Sequence, residues 1–252
     1  MAVNHIDQLL SRTSNEVDKA RLLAVTATHS GDWLQAAPIA SVGLKLSDEA
    51  VRVAVVHRLG CRACEPHTCA CGKNVDARGL QRLACRRSAP KQQRHSHMND
   101  ILWQAINRAQ IPAVKEPVRP VSLIQDGKRP DGVTLLPWAR GKPLAWDIIV
   151  PDTYAESHLQ DTACRPGAAG ERAANKSSMY CDLAGTHLFF PVATETAGTW
   201  NQMAVELVQE IGRRITLVTQ DSRETVFLFQ RLSIALQRGN AVSFPSTFTA
   251  TD

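Results

Sequence analysis

The sequence predicts an α/β fold: a small mixed sheet flanked by helices, preceded by a helical segment and a cysteine-rich insert. Three observations predict it. Apolar residues recur at helical spacing near the start and throughout residues 202–242. Residues 128–150, KRPDGVTLLPWARGKPLAWDIIV, read as a β-hairpin. Five of the seven cysteines (Cys61, Cys64, Cys69, Cys71, Cys85) fall within 25 residues.

In the front segment, residues 1–60, Val17, Ala20, Leu23 and Ala24 mark one helix. A second helix starts after Ser47, a good N-cap, with Asp48 and Glu49 placed favourably in its first turn. Val51, Ala54, Val55 and Leu59 give it an apolar face, and Gly60 stops it. Between the two, Trp33 anchors a connection. Residues 61–98 are turn-rich and lack a hydrophobic period. Asn99 is then read as the cap of a helix, NDILWQAINRAQ. A proline-rich loop follows, with an extended piece near Ala113 and Val114, and then the hairpin.

Beyond Pro151 a helix is expected over 168–182 and a buried strand over 187–196. Ala204, Leu207, Val208, Ile211, Ile215 and Val218 predict a helix over 202–219. A last helix is expected from a Ser222 cap to a Gly239 stop, and residues 245–252 read as a loose tail. The division is therefore 1–60, 61–98 and 99–244, plus the tail.

The chain has 252 residues, 44% of them hydrophobic and 21% charged, so it can bury a substantial core. No apolar run reaches the roughly 18 residues of a membrane span. The N-terminus is too polar for a signal peptide, so a nuclear or cytoplasmic protein with reduced thiols is expected. Clustered thiols in such a protein point to metal rather than disulfides. Zinc takes four tetrahedral ligands from Cys and His. Cys69, Cys71 and Cys85 form the core of such a site, with Cys64 or His67 as the fourth ligand.

The net charge of +5 is modest, but it is unevenly spread. Residues 77–99 hold six basic side chains (Arg78, Arg82, Arg86, Arg87, Lys91, Arg94) with His95 and His97, and no acid. Such density suits phosphate contacts with DNA. The hairpin carries two aspartates, Asp131 and Asp147, whose midpoint lies at 139, close to the turn expected over 139–142. Opposed on paired strands they would repel. A divalent cation, Mg²⁺ or Mn²⁺, would turn that repulsion into a binding site.

Pro130-Asp131, a hairpin, then Asp147 on an apolar strand resembles the PD-(D/E)xK nuclease pattern. The order of cysteine knuckle, basic Arg-His stretch and Arg-Pro-Asp hairpin is similar to the C-terminal region of site-specific non-LTR retrotransposons. In those elements a reverse transcriptase is followed by a zinc knuckle and a restriction-enzyme-like endonuclease. FFPVATETAG and DSRETVFLFQRLS extend the resemblance over most of the chain, from about Asp18 to Phe244.

The resemblance implies a restriction-endonuclease-like core over 99–244 and a DNA-nicking site with Asp131 and Asp147 as Mg²⁺ ligands. It implies DNA as partner, with element RNA as a second. The pattern expects a lysine where Ile149 stands. The family often moves it to the next helix, where Glu171, Lys176 and Tyr180 match and Met179 replaces a second lysine. Lys176 is then the best candidate for the cationic role, and Glu195 reads either as a further acid at the site or as a strand-end charge. The knuckle departs too: Gln81 stands where relatives have a zinc-binding His. No polymerase palm or fingers are present in this sequence, which the resemblance places at the tail of a larger element. A catalytically inactive DNA-binding remnant and a scaffold reused for protein contacts are the alternative expectations.

Overall fold

The computed structural model describes residues 2–69, 71–85, 89–117, 129–176 and 185–244. The front of the chain forms helices α1 (Ala2–Arg12), α2 (Glu16–Thr26) and α3 (Asp48–Leu59). Asn15 caps α2, accepting from the amides of Val17 and Asp18. Ser47 caps α3 through the Ala50 amide. Gly60 ends α3 at φ +74°, a left-handed conformation that glycine adopts without steric cost.

The cysteine-rich insert is built from a two-stranded hairpin, β1 (His67–Thr68) and β2 (Asn74–Val75), and a short helix α4 (Leu80–Ala84). Helix α5 (Ala89–Arg108) follows. It begins ten residues before the expected start at Asn99 and runs through the boundary drawn between 98 and 99. Asn99 is not a cap. It is a buried residue within α5, accepting from Trp146 Nε1 at 2.8 Å and donating to the Asp131 carbonyl at 3.2 Å.

Strands β3 (Ala113–Lys115), β4 (Gly132–Thr134), β5 (Leu144–Ile149) and β6 (Leu188–Ala193) form one sheet in that order. The first three run antiparallel in turn, and β6 lies parallel to β5. A parallel neighbour requires a crossover. Here it contains α6 (Leu159–Thr162) and α7 (Ala168–Lys176), and α7 packs on β6 and β5. The hairpin turn closes with an Ala139–Lys142 bridge, where expected. The Arg214 guanidinium lies 3.7 Å over the Trp138 ring and donates to the Trp138 carbonyl at 3.0 Å, tying the hairpin to α8 (Gln202–Thr219).

Alternation along β5 sends Leu144, Trp146 and Ile148 into a core shared with α5, α8 and α9 (Glu224–Val242). Gly132, directly opposite Trp146, makes room for the indole: a Cβ there would come within 2.0 Å of it. Helix α9 is buried on two sides. Leu228, Phe229, Leu232 and Leu236 face the sheet core, while Ile234 and Ala241 meet Trp33, Leu46 and Val53 of the front segment. The cap of α9 is Arg223 rather than Ser222, and Gly239 is not its end. Instead Gly239 admits the Arg94 side chain of α5, whose Cγ would stand 1.8 Å from a Cβ at 239.

Among the described residues, no helix is long and apolar enough to cross a membrane. The tail, 245–252, lies outside the described residues.

Candidate functional site

The β4–β5 register pairs Gly132 with Trp146 and Val133 with Ala145. One step further, the same register sets Asp131 opposite Asp147. Asp131 does more than face its neighbour. Its Oδ2 accepts the Ile148 amide at 2.6 Å, standing in for a ladder carbonyl where the pairing runs out. Its own carbonyl accepts the Glu116 amide at 3.0 Å, continuing the β3–β4 ladder.

The same Oδ2 meets His95 Nε2 at 2.8 Å, with the imidazole reaching down from the first half of α5. The Asp131 hydrogen bond raises the His95 pKa against the opposing effect of burial, and the charges of Asp131, Asp147 and Glu116 add to the rise. The three carboxylates thus make a locally negative field at the end of the hairpin. His95 was expected on DNA; the structure turns it to this aspartate instead.

Asp147 points away from the core. It shares a face of β5 with Ile149, which pairs with Ala193 of β6. Ala193 in turn lies 3.9 Å from the Cβ position of Gly170 in α7. Asp147 is therefore on the α7 side of the sheet, half-buried. Lys176 is the last residue of α7, and its side chain lies outside the described residues, as do Met179 and Tyr180.

Two further expected acids lie on and against α7. Glu171 pairs with Arg165 at 2.5 Å on an exposed surface. Glu195 is fully buried beyond the end of β6. Its Oε1 accepts the Gly170 amide at 3.1 Å, and burial pushes its pKa up.

The basic stretch is largely spent on structure. Arg78 grips Asp18 with both ends of its guanidinium, at 3.0 and 2.9 Å. Arg82 donates to His67 Nε2 and to the Ser243 carbonyl. Arg94 is 1% exposed, bonded to Asn240 Oδ1 at 2.8 Å and the Leu83 carbonyl at 3.1 Å. A side chain closed off in this way cannot reach a phosphate, so Arg94 is removed from the expected DNA contacts. Lys91 stays exposed on α5, and Arg86 and Arg87 lie outside the described residues.

Cys69, Cys71 and Cys85 come together, with their sulfurs all within 4.8 Å of one another. Among the described residues this is the group of three or more ligand side chains compact enough to hold a metal ion. The turn that presents Cys69 and Cys71 closes through the Gly72 amide on the Cys69 carbonyl, 2.8 Å, with Gly72 at φ +86°. Cys85 caps the end of α4. A tetrahedral zinc with bonds of about 2.3 Å spaces its sulfurs about 3.8 Å apart. The observed Cys69–Cys85 separation of 3.5 Å fits this spacing.

Neither expected fourth ligand joins them. Cys64 points its thiol at the Asp76 carbonyl, 3.5 Å away. Both ring nitrogens of His67 are engaged, Nδ1 with the Glu65 carbonyl at 2.7 Å and Nε2 with Arg82. The side chain that does reach the trio is Gln81, whose Nε2 lies 3.9 Å from Cys71 Sγ. The Cys71 thiol is drawn down to about 7 by a hydrogen bond with the Lys73 backbone and by its neighbouring thiols.

Scanned against protein-family models the chain matches none, and no curated protein sequence matches it.

Proposed function

We propose that residues 99–244 are a restriction-endonuclease-like domain that cuts DNA with a divalent cation, derived from the nicking enzyme of a non-LTR retrotransposon. The observation that carries this reading is the hairpin register that sets Asp131 opposite Asp147. The architecture supports it: the two aspartates stand by adjacent strands of a small mixed sheet flanked by helices.

The residues fit a divalent cation. Asp131, Asp147 and Glu116 create the negative field that raises the His95 pKa, and a cation bound there would relieve the same field. Mg²⁺ or Mn²⁺ in this position would polarise the scissile phosphate and supply a hydroxide-like water. Asp131 and Asp147 would hold the ion. The amide of Ile148 and the ring of His95 fix the Asp131 carboxylate in place. Lys176, at the end of the helix on the Asp147 face, would place positive charge by the phosphate undergoing attack. Water adds to phosphorus as the bond to the leaving sugar oxygen breaks.

A second reading, a DNA-binding remnant without catalysis, has its own support. Asp131 Oδ2 is already committed to two partners, and Ile149 stands where the pattern places a lysine. The full chain incubated with supercoiled plasmid and Mg²⁺ or Mn²⁺ separates the two. Nicking by wild type, lost in Asp131→Asn and Asp147→Asn, supports the enzyme. Salt-sensitive DNA binding by all three without nicking supports the remnant. No DNA binding at low salt removes both and favours a scaffold for protein contacts.

A further inference from the structure

The cysteine trio raises a question independent of nuclease activity: what completes its coordination. Three cysteine sulfurs stand within 4.8 Å of one another, and among the described residues the two side chains expected to add a fourth strong ligand are engaged elsewhere. The Cys64 thiol is turned to the Asp76 carbonyl in the β2–α4 turn. His67 is held between the Glu65 carbonyl and the Arg82 guanidinium, and freeing its Nε2 would leave Arg82 without that acceptor. The position over Cys71 is taken by Gln81, on the α4 turn that leads into Cys85.

A carboxamide is neutral and a poor zinc ligand beside thiolate or imidazole. It is also large enough to fill the place where an imidazole would stand. The ligand set is therefore all-sulfur, with three donors and one side of the ion facing an amide. We infer that Cys69, Cys71 and Cys85 bind a thiophilic metal ion through three thiolates alone. Gln81 leaves the fourth position without a protein donor, and so biases the site toward soft ions over Zn²⁺. Zinc in structural sites is almost always four-coordinate, so it loses most when a ligand is missing. A softer ion of the same charge, such as Cd²⁺, draws more of its binding energy from sulfur and loses less.

The full chain, reduced and stripped of metal, would be titrated with Cd²⁺ and separately with Zn²⁺ against a competing chelator. Thiolate-to-metal charge-transfer absorption would report the number of bound sulfurs. One Cd²⁺ per chain with three thiolates is expected. Cys71→Ser, at the least buried of the three sulfurs, should lose one thiolate from the spectrum and bind more weakly. Cys64→Ser, His67→Ala and Gln81→Ala should bind Cd²⁺ as wild type does. Gln81→His should raise Zn²⁺ affinity by on the order of tenfold or more, with a smaller change for Cd²⁺, so that the preference between the two ions moves toward zinc.

Weakening by Cys64→Ser or His67→Ala to the level of Cys71→Ser would show a fourth protein ligand and overturn the inference. Weakening by Gln81→Ala would do the same by making the amide a ligand. An unchanged preference in Gln81→His, or no binding of either ion, also overturns it. Circular dichroism of each metal-free variant keeps loss of fold apart from loss of a ligand. None of these readouts depends on DNA cleavage, so the inference stands or falls apart from the proposed enzyme.

Discussion

His95 and Asp131, with 35 residues between them in the sequence, meet at 2.8 Å through Nε2 and Oδ2. The contact ties the start of α5 to the end of the hairpin that carries both aspartates, and it gives the protein a titratable strut. Because Asp131 raises the folded-state pKa of His95 above its unfolded value of about 6.5, folding takes up protons there. The stabilisation from this pair is full below pH 6.5 and is lost as pH rises through the folded pKa. Urea unfolding of wild type and His95→Gln across pH 5–9 should show the largest stability difference at the acid end, closing at the alkaline end. A difference independent of pH would mean that the ring acts by packing alone.

Glu195 should behave in the opposite way to a catalytic acid. Burial raises its pKa, so the protein gives up stability as pH rises through that value, whereas below the unfolded value of about 4.3 the contribution is complete. Glu195→Gln keeps the shape and removes the charge. The variant is expected to be more stable than wild type at neutral and alkaline pH, with the gap narrowing toward pH 4. In a plasmid-nicking assay it should cut as wild type does. A loss of nicking with an intact fold would return Glu195 to the site.

Arg94 and Gly239 form one packing unit, with the arginine stem lying where a Cβ would be. Gly239→Ala should cost about 1–3 kcal/mol through overpacking. Arg94→Ala should cost about 2–4 kcal/mol, because Asn240 and the Leu83 carbonyl lose a buried charged donor. Together the two substitutions should cost clearly less than their sum, since truncating Arg94 vacates the space that a methyl group on Gly239 would need. Chemical denaturation of the four proteins in the cycle measures this. Strict additivity would separate the two sites.

Gly132 should tolerate no side chain. A Cβ would press into the Trp146 ring from the opposite strand, and the indole is itself held by Asn99. Gly132→Ala is expected to destabilise by about 3 kcal/mol and to disturb the register that faces Asp131 with Asp147. Loss of near-ultraviolet circular dichroism from the tryptophans, with the helical signal retained, would report that local failure. A fully stable Gly132→Ala would show that the hairpin can shift to make room.

Where a local rule acts alone, the sequence was a good guide. Ser47 and Gly60 bound α3 as capping chemistry requires, and the apolar period of 202–219 marks α8 from end to end. The facing of Asp131 and Asp147 could only be raised from the sequence: the turn bridge pairs Ala139 with Lys142 while the strands pair Gly132 with Trp146, a shift of register that no turn position gives. The three sulfurs of the cysteine trio were legible from their density within one short segment.

What the sequence could not weigh was competition between partners distant in the chain. Asn99 has the chemistry of a cap, yet Trp146 and Asp131 offer its amide one buried and one part-buried hydrogen bond, and the helix continues past it. Arg94 and His95 sit side by side in a run of bases that reads as one phosphate-binding surface. A helix turns adjacent residues about 100° apart, so tertiary packing buries the first against α9 and sends the second to Asp131. The sequence by itself determined which groups the chain has and their local periods. Only the tertiary structure decided which charges remain free for a ligand, because burial and hydrogen-bond satisfaction are settled between elements and not along them.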